Sequence, residues 1–138
     1  MNSDCVVVDA NIAFKALAAG RGDLRDRLGP ATTVTFFAPR FLFVELFRHK
    51  ERLALAAKVP EQEVVDALHA LVSRIEFVNE SNIALGTWMG AYRLCRDTDE
   101  KDTPYVALTL HLDCRLWTDD AQLKRGLIAK GFDRFVEQ

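Results

Sequence analysis

The sequence predicts an α/β domain with a central, mostly parallel sheet of four to five strands and helices on both faces. Three observations carry that expectation. Val6-Val7-Val8 is an unbroken β-branched run, the pattern of a strand buried on both faces of a parallel sheet. Short apolar runs alternate along the chain with longer segments of helical periodicity, which implies crossover connections and therefore parallel strands. The 138 residues, 49% hydrophobic and 28% charged, contain no linker, repeat or low-complexity stretch, so residues 1–138 read as one domain with one core.

Each element follows from local pattern. The first strand stops at Asp9, and Asn11 to Ala19 carries a helix that Gly20 closes. Gly22 to Leu28 is a polar helical piece stopped by Gly29-Pro30, and Val34 to Ala38 is the second strand. Pro39 suits the start of a helix and opens a long one running to about Ala57. Pro60 to Val72 is amphipathic, with acids at its N-terminal end as the helix dipole favours. Ile75 to Val78 makes a third strand. Ser81 to Cys95 is a helix with Trp88, Met89 and Tyr92 on a buried or partner-facing side. Asp102-Thr-Pro begins a helix to about Leu112, and Arg115 to Thr118 is the fourth strand. Ala121 to Lys130 is the last helix, with Arg134 to Val136 as a fifth strand.

Composition removes several classes. No apolar run approaches the ~18 residues of a membrane span, and the N-terminus lacks the basic region and cleavage site of a signal peptide. A cytoplasmic protein with no membrane association is expected. Cys5, Cys95 and Cys114 are an odd count without C-x-x-C spacing, so a disulfide framework and a zinc site are poor readings; each thiol reads as a small buried hydrophobe in a reducing compartment. The net charge of −2 is unlike a duplex DNA binder. It decides little, because sinking four acids into a metal site would leave the rest of the chain net positive. No G-x-S-x-G, Walker or dinucleotide loop occurs, and His49, His69 and His111 read as surface or core residues.

What remains is acidic. Asp97, Asp99, Glu100 and Asp102 form one cluster, and Asp113, Asp119 and Asp120 a second. Ligand sites in open parallel sheets lie outside the carboxyl ends of strands, and Asp9 and Asp119/Asp120 hold such positions. Any one of Asp9, Asp102 and Asp119/Asp120 taken alone is better read as a helix N-cap. Glu45 is different, an acid in the middle of the apolar run Phe41-Leu-Phe-Val-Glu-Leu-Phe47, too deep to cap it. A carboxylate there needs a cation, either a metal or Arg48 or His49 one turn on. Carboxylates without Cys or His suit Mg²⁺ or Mn²⁺, and such an ion can activate water and steady a leaving oxygen.

At these residues the chain resembles the PIN-domain family of metal-dependent nucleases. The matching pieces are V-V-V-D-A-N-I, P-R-F-L-F-V-E-L, D-x-x-D-T-P-Y-V-A-L-T-L and L-W-T-D-D-x-x-L, in the family order over essentially the whole chain. The resemblance implies catalytic metal ligands at Asp9, Glu45, Asp102 and Asp120, with Mg²⁺ or Mn²⁺ as cofactor. Asp119 is the alternative to Asp120. Thr118 matches the family's site threonine, Asn11 the companion of the first aspartate, and Asp99 an additional acid near the ligands. The implied activity is endoribonuclease. Many small prokaryotic members resemble VapC toxins of type II toxin–antitoxin pairs, which are silenced by an antitoxin peptide across the site. RNA as substrate, an antitoxin protein and a homodimer are therefore the implied partners.

Lys15, Arg40, Arg48, Lys101 and Lys124 are candidate phosphate contacts by proximity in sequence, and Phe14 and Tyr105 candidate stacking aromatics. The competing expectation is a non-catalytic PIN-like domain that binds RNA or scaffolds, its acids serving as helix caps. Convergence of Glu45 on Asp9 and Asp102 separates the two, because capping cannot place all three together.

Overall fold

The computed structural model describes residues 5–18 and 33–136. The polar helical piece expected at 22–28 and the glycine stop at 20 lie outside them. The order of elements is β1 (Cys5–Val8), α1 (Ala10–Ala18), β2 (Thr35–Pro39), α2 (Arg40–Arg48), α3 (Lys50–Ala57), α4 (Glu61–Val72), β3 (Ile75–Val78), α5 (Leu85–Cys95), α6 (Thr103–Leu112), β4 (Arg115–Trp117) and α7 (Ala121–Ala129). Short 3-10 turns at Glu80–Asn82 and Glu100–Asp102 precede α5 and α6. The α/β class and the parallel sheet expected from the sequence are what the structure has.

The four strands run parallel in the order β3-β2-β1-β4. β1 is buried along its whole length, as an unbroken valine run requires. From β1 the chain steps through β2 to β3, then crosses back to place β4 on the other side of β1. Right-handed crossovers running in opposite directions put their helices on opposite faces. Accordingly α1 packs with α2, α3 and α4, while α6 packs with α5 and against β1, β2 and β4. Sandwiched in this way, α6 is buried nearly all round, including Val106, Ala107 and Leu108.

Several expectations are corrected. The long helix through Ala57 is bent at His49 into α2 and α3; the amide ladder carries across, from His49 N to Glu45 O and from Leu53 N to His49 O. The fifth strand reduces to a parallel bridge between Leu116 and Phe135, held by Leu116 N to Arg134 O and Val136 N to Leu116 O. The helix expected from Ser81 starts at Leu85, because Asn79 takes the Ser81 amide and starts a 3-10 turn instead. The three thiols are not all free. Val6 pairs with Arg115, so the residues before them lie side by side, and Cys5 and Cys114 form a disulfide with Cα atoms 5.0 Å apart. Cys95 is free and buried, and burial pushes its thiol up to about 12.

Gly90 in the middle of α5 has open space where a Cβ would stand. Gly90→Ala should therefore add about 0.5–1 kcal/mol through helix propensity and unfolded-state entropy. A thermal melt reads this as a rise of a few degrees. A fall would mean that this stretch of α5 is crowded.

Candidate active site

β1 and β4 are neighbours that the chain enters from opposite directions, so the gap between their carboxyl ends is the topological switch point, where a crevice opens between diverging loops. Asp9 follows β1 directly, and Thr118, Asp119 and Asp120 follow β4. Glu45 lies in the second turn of α2, which leaves the end of β2, and Asp102 heads α6.

Asp9 is 3% exposed. Its Oδ1 accepts the Ile12 amide at 2.9 Å, capping α1, and the Thr118 hydroxyl hydrogen-bonds the same carboxyl. Thr118, fully buried, also accepts the Asp120 amide at 3.2 Å, so one hydroxyl ties the ends of β1 and β4 together. Burial raises the Asp9 carboxyl from 3.8 to about 6, against the lowering effect of these hydrogen bonds; the charges of Asp119 and Asp120 add to the rise. Asp120 caps α7, accepting the Leu123 amide at 3.1 Å. Asp119 forms an ion pair with Lys15, a cation expected to contact phosphate.

Asp102 occupies the N-cap position of α6 yet makes no side-chain cap hydrogen bond. Burial raises its carboxyl from 3.8 to about 7, and the charges of Asp99, Asp9, Asp120 and Glu45 push it further in the same direction. The acids from all four segments therefore act on one carboxyl. Asp99 lies just upstream, its side chain accepting the Lys101 amide at 3.0 Å. Asn11 is exposed on the first turn of α1.

Glu45 is half-buried, not sunk in the core: Leu42 and Leu46 of α2 are fully buried, while Phe41, Phe43 and Val44 are 40%, 43% and 47% exposed. The cost of burying its charge is correspondingly smaller than the apolar run suggested. Its partner is neither Arg48 nor His49 but Tyr105, whose hydroxyl donates to Glu45 Oε1 at 3.3 Å. Tyr105 is 2% exposed, so it is not a stacking surface; burial and the charge of Glu45 push its phenol well above the ordinary value. Glu80 fixes α2 from outside, accepting the amides of Arg40 at 3.2 Å and Phe41 at 2.9 Å. Both contacts join residues far apart in sequence, which explains why local pattern missed them. Tyr105→Phe should cost about 1 kcal/mol and leave the fold intact. A melt measures that cost, and an unchanged melting temperature would mean that the bond to Glu45 contributes nothing.

Two other acids of the clusters have partners of their own. Asp97 pairs with Lys130, whose ammonium holds that exposed carboxyl below its usual range, and Asp113 pairs with Arg134. Lys124 lies over the Phe135 ring, 5.9 Å from its centroid.

The donor set is oxygen-only, and two of its members are raised by burial and by neighbouring carboxylate charge, which suits a hard divalent cation. Among the described residues, however, no three acids draw close enough to form a ready-made metal-binding group.

A parallel sheet with carboxylates along the carboxyl edge at its switch point is the frame of an α/β protein whose ligand site lies at that edge. The PIN domain model matches residues 7–137, and the chain belongs to the PIN-domain family, whose members are generally nucleases that use divalent metals. No curated protein matches the chain. Among the described residues no helix is long and apolar enough to cross a membrane.

Proposed function

We propose that this protein is a metal-dependent endoribonuclease, with Asp9, Glu45, Asp102 and Asp120 holding Mg²⁺ or Mn²⁺ and Asp119 as the alternative to Asp120. The observation that carries the reading is Asp102. It is a helix-heading carboxylate with no capping bond, and the acids of the other three segments all act on it. A purely structural cap would be expected to bond the helix it heads.

The bound cation would supply Lewis acidity, drawing a phosphodiester oxygen, lowering the pKa of water and steadying the leaving oxygen. The chain supplies orientation. Thr118 and the Ile12 amide hold the Asp9 carboxyl, the Leu123 amide holds Asp120, and Tyr105 holds Glu45. Glu80 anchors the amino end of α2, and with it the helix that carries Glu45. A role as the toxin of a type II toxin–antitoxin pair, with an antitoxin segment and a second copy of the chain as partners, is part of this proposal and rests on the family alone.

A second reading, a non-catalytic PIN-like domain that binds RNA or scaffolds, draws support from the caps that Asp9 and Asp120 make and from the spacing of the acids. One experiment separates the two: a mixed single-stranded RNA pool incubated with Mn²⁺, Mg²⁺ or EDTA. Cleavage that requires metal and disappears in Asp102→Asn supports the enzyme. RNA retained intact in every condition supports the binding domain.

A further inference from the structure

A groove of about 410 Å³ runs along α5, lined by Trp88, Met89, Tyr92, Arg93, Arg96 and Thr103. The first four recur at helical spacing on one face of α5, and Arg96, its C-cap, continues that face. Thr103, in the lining, is the residue after Asp102, and none of the carboxylates lines the groove. The sequence pattern suggested a core or partner-facing stripe here, but Met89 and Tyr92 are 46% and 45% exposed, and Arg93 and Arg96 are exposed too. Neither arginine enters an ion pair among the described residues, whereas Lys15, Lys130 and Arg134 are each tied to an acid. The Trp88 indole donates to the Glu80 carbonyl at 3.4 Å, which fixes the plane of its ring.

A half-buried indole and an exposed phenol beside two exposed guanidiniums offer what an unpaired nucleotide requires. The ring stacks on a base of any sequence, and the guanidinium forks onto a phosphate. A duplex keeps its bases stacked inside and could use only the arginines. We propose that this groove seats an unpaired nucleotide of an RNA strand next to the scissile bond, with its base against Trp88 and Tyr92 and its phosphates on Arg93 and Arg96. From there the strand continues past Thr103 to Asp102. This rests on the ribonuclease reading above and adds a strand-recognition site to it.

The test measures binding apart from cleavage. A short labelled single-stranded RNA of random sequence is titrated in EDTA against wild type, Asp102→Asn, Tyr92→Ala and the double variant Arg93→Gln/Arg96→Gln, with tryptophan fluorescence followed in parallel. Tyr92, Arg93 and Arg96 are exposed, and melts check that the fold survives in every variant. Asp102→Asn, which removes a negative charge from the path of the strand, should bind at least as tightly as wild type, and the groove variants should bind on the order of tenfold more weakly. Wild-type fluorescence should be quenched by the RNA but not by a base-free ribose-phosphate chain, and Trp88→Phe should remove the quench. Groove variants that bind like wild type would overturn the proposal. So would variants that change only sedimentation, which would mark the face as an interface between copies. If those variants bind and cut normally while Asp102→Asn is dead, the groove assignment fails and the nuclease stands. If the groove binds RNA but wild type never cuts, the groove stands and the catalytic reading fails.

Discussion

Replacing Asp102 with asparagine is expected to lower metal-dependent RNA cleavage on the order of 100-fold or more, since even groups that merely support a metal ligand cost 10–100-fold when lost. The fold should survive, because the Asp102 side chain makes no cap hydrogen bond that the amide would break. The metal-free protein should melt at the same temperature or higher. In the wild type, burial and the charges of Asp99, Asp9, Asp120 and Glu45 all resist ionisation at this position, and a neutral amide relieves each of them. Cleavage is read on the RNA pool and stability by a melt in EDTA. A variant that cuts as well as wild type removes Asp102 from the site. A variant that melts many degrees lower makes it structural.

Asp9→Asn should stabilise the metal-free chain, and the gain should depend on pH. The Asp9 carboxyl ionises near 6 in the folded chain and near 3.8 when unfolded. Between those values the folded state keeps a proton that the unfolded state has lost, so this group's contribution to stability falls as pH rises through the window and levels off above it. About two units correspond to about 3 kcal/mol, an upper figure for a group this deeply buried. Asparagine can still accept the Ile12 amide through its own oxygen and has no charge to bury. The variant should therefore exceed wild type by up to about 3 kcal/mol at pH 8, with the gap closing near pH 4. Denaturant titrations in EDTA across that range decide it. A constant gap would mean that the Asp9 carboxyl is not perturbed. The Asp102 carboxyl, raised to about 7, should act in the same direction.

Much of the fold could be read from local pattern. The valine run, the strand at Ile75–Val78 and the helix heading at Asp102-Thr-Pro depend on periodicity and turn chemistry within a few residues, and each appears where its pattern puts it. His49, where α2 bends into α3, breaks no local rule, so the long-helix expectation overran it. The disulfide was missed because cysteine spacing carries no register. Only the pairing of Val6 with Arg115 brings Cys5 beside Cys114. Glu45 was expected to be a buried carboxylate because it lies within an apolar helical run, yet three large apolar side chains of that helix face solvent. Tyr105 was weighed as a stacking ring, and its burial against Glu45 makes it a hydrogen-bond donor instead.

By itself the sequence determined the α/β class, the parallel strands, the family and the inventory of acids, because hydrophobic period and turn residues are encoded within each segment. Strand order was left to the tertiary structure, and with it the fact that Asp9 and the Thr118–Asp120 turn meet at the ends of neighbouring strands. So were the partners: Asp119 with Lys15 across 104 residues and Glu45 with Tyr105 across 60. Such contacts arise when distant segments are packed onto one core, where burial and neighbouring charge, set by the whole chain, determine what each carboxyl can do.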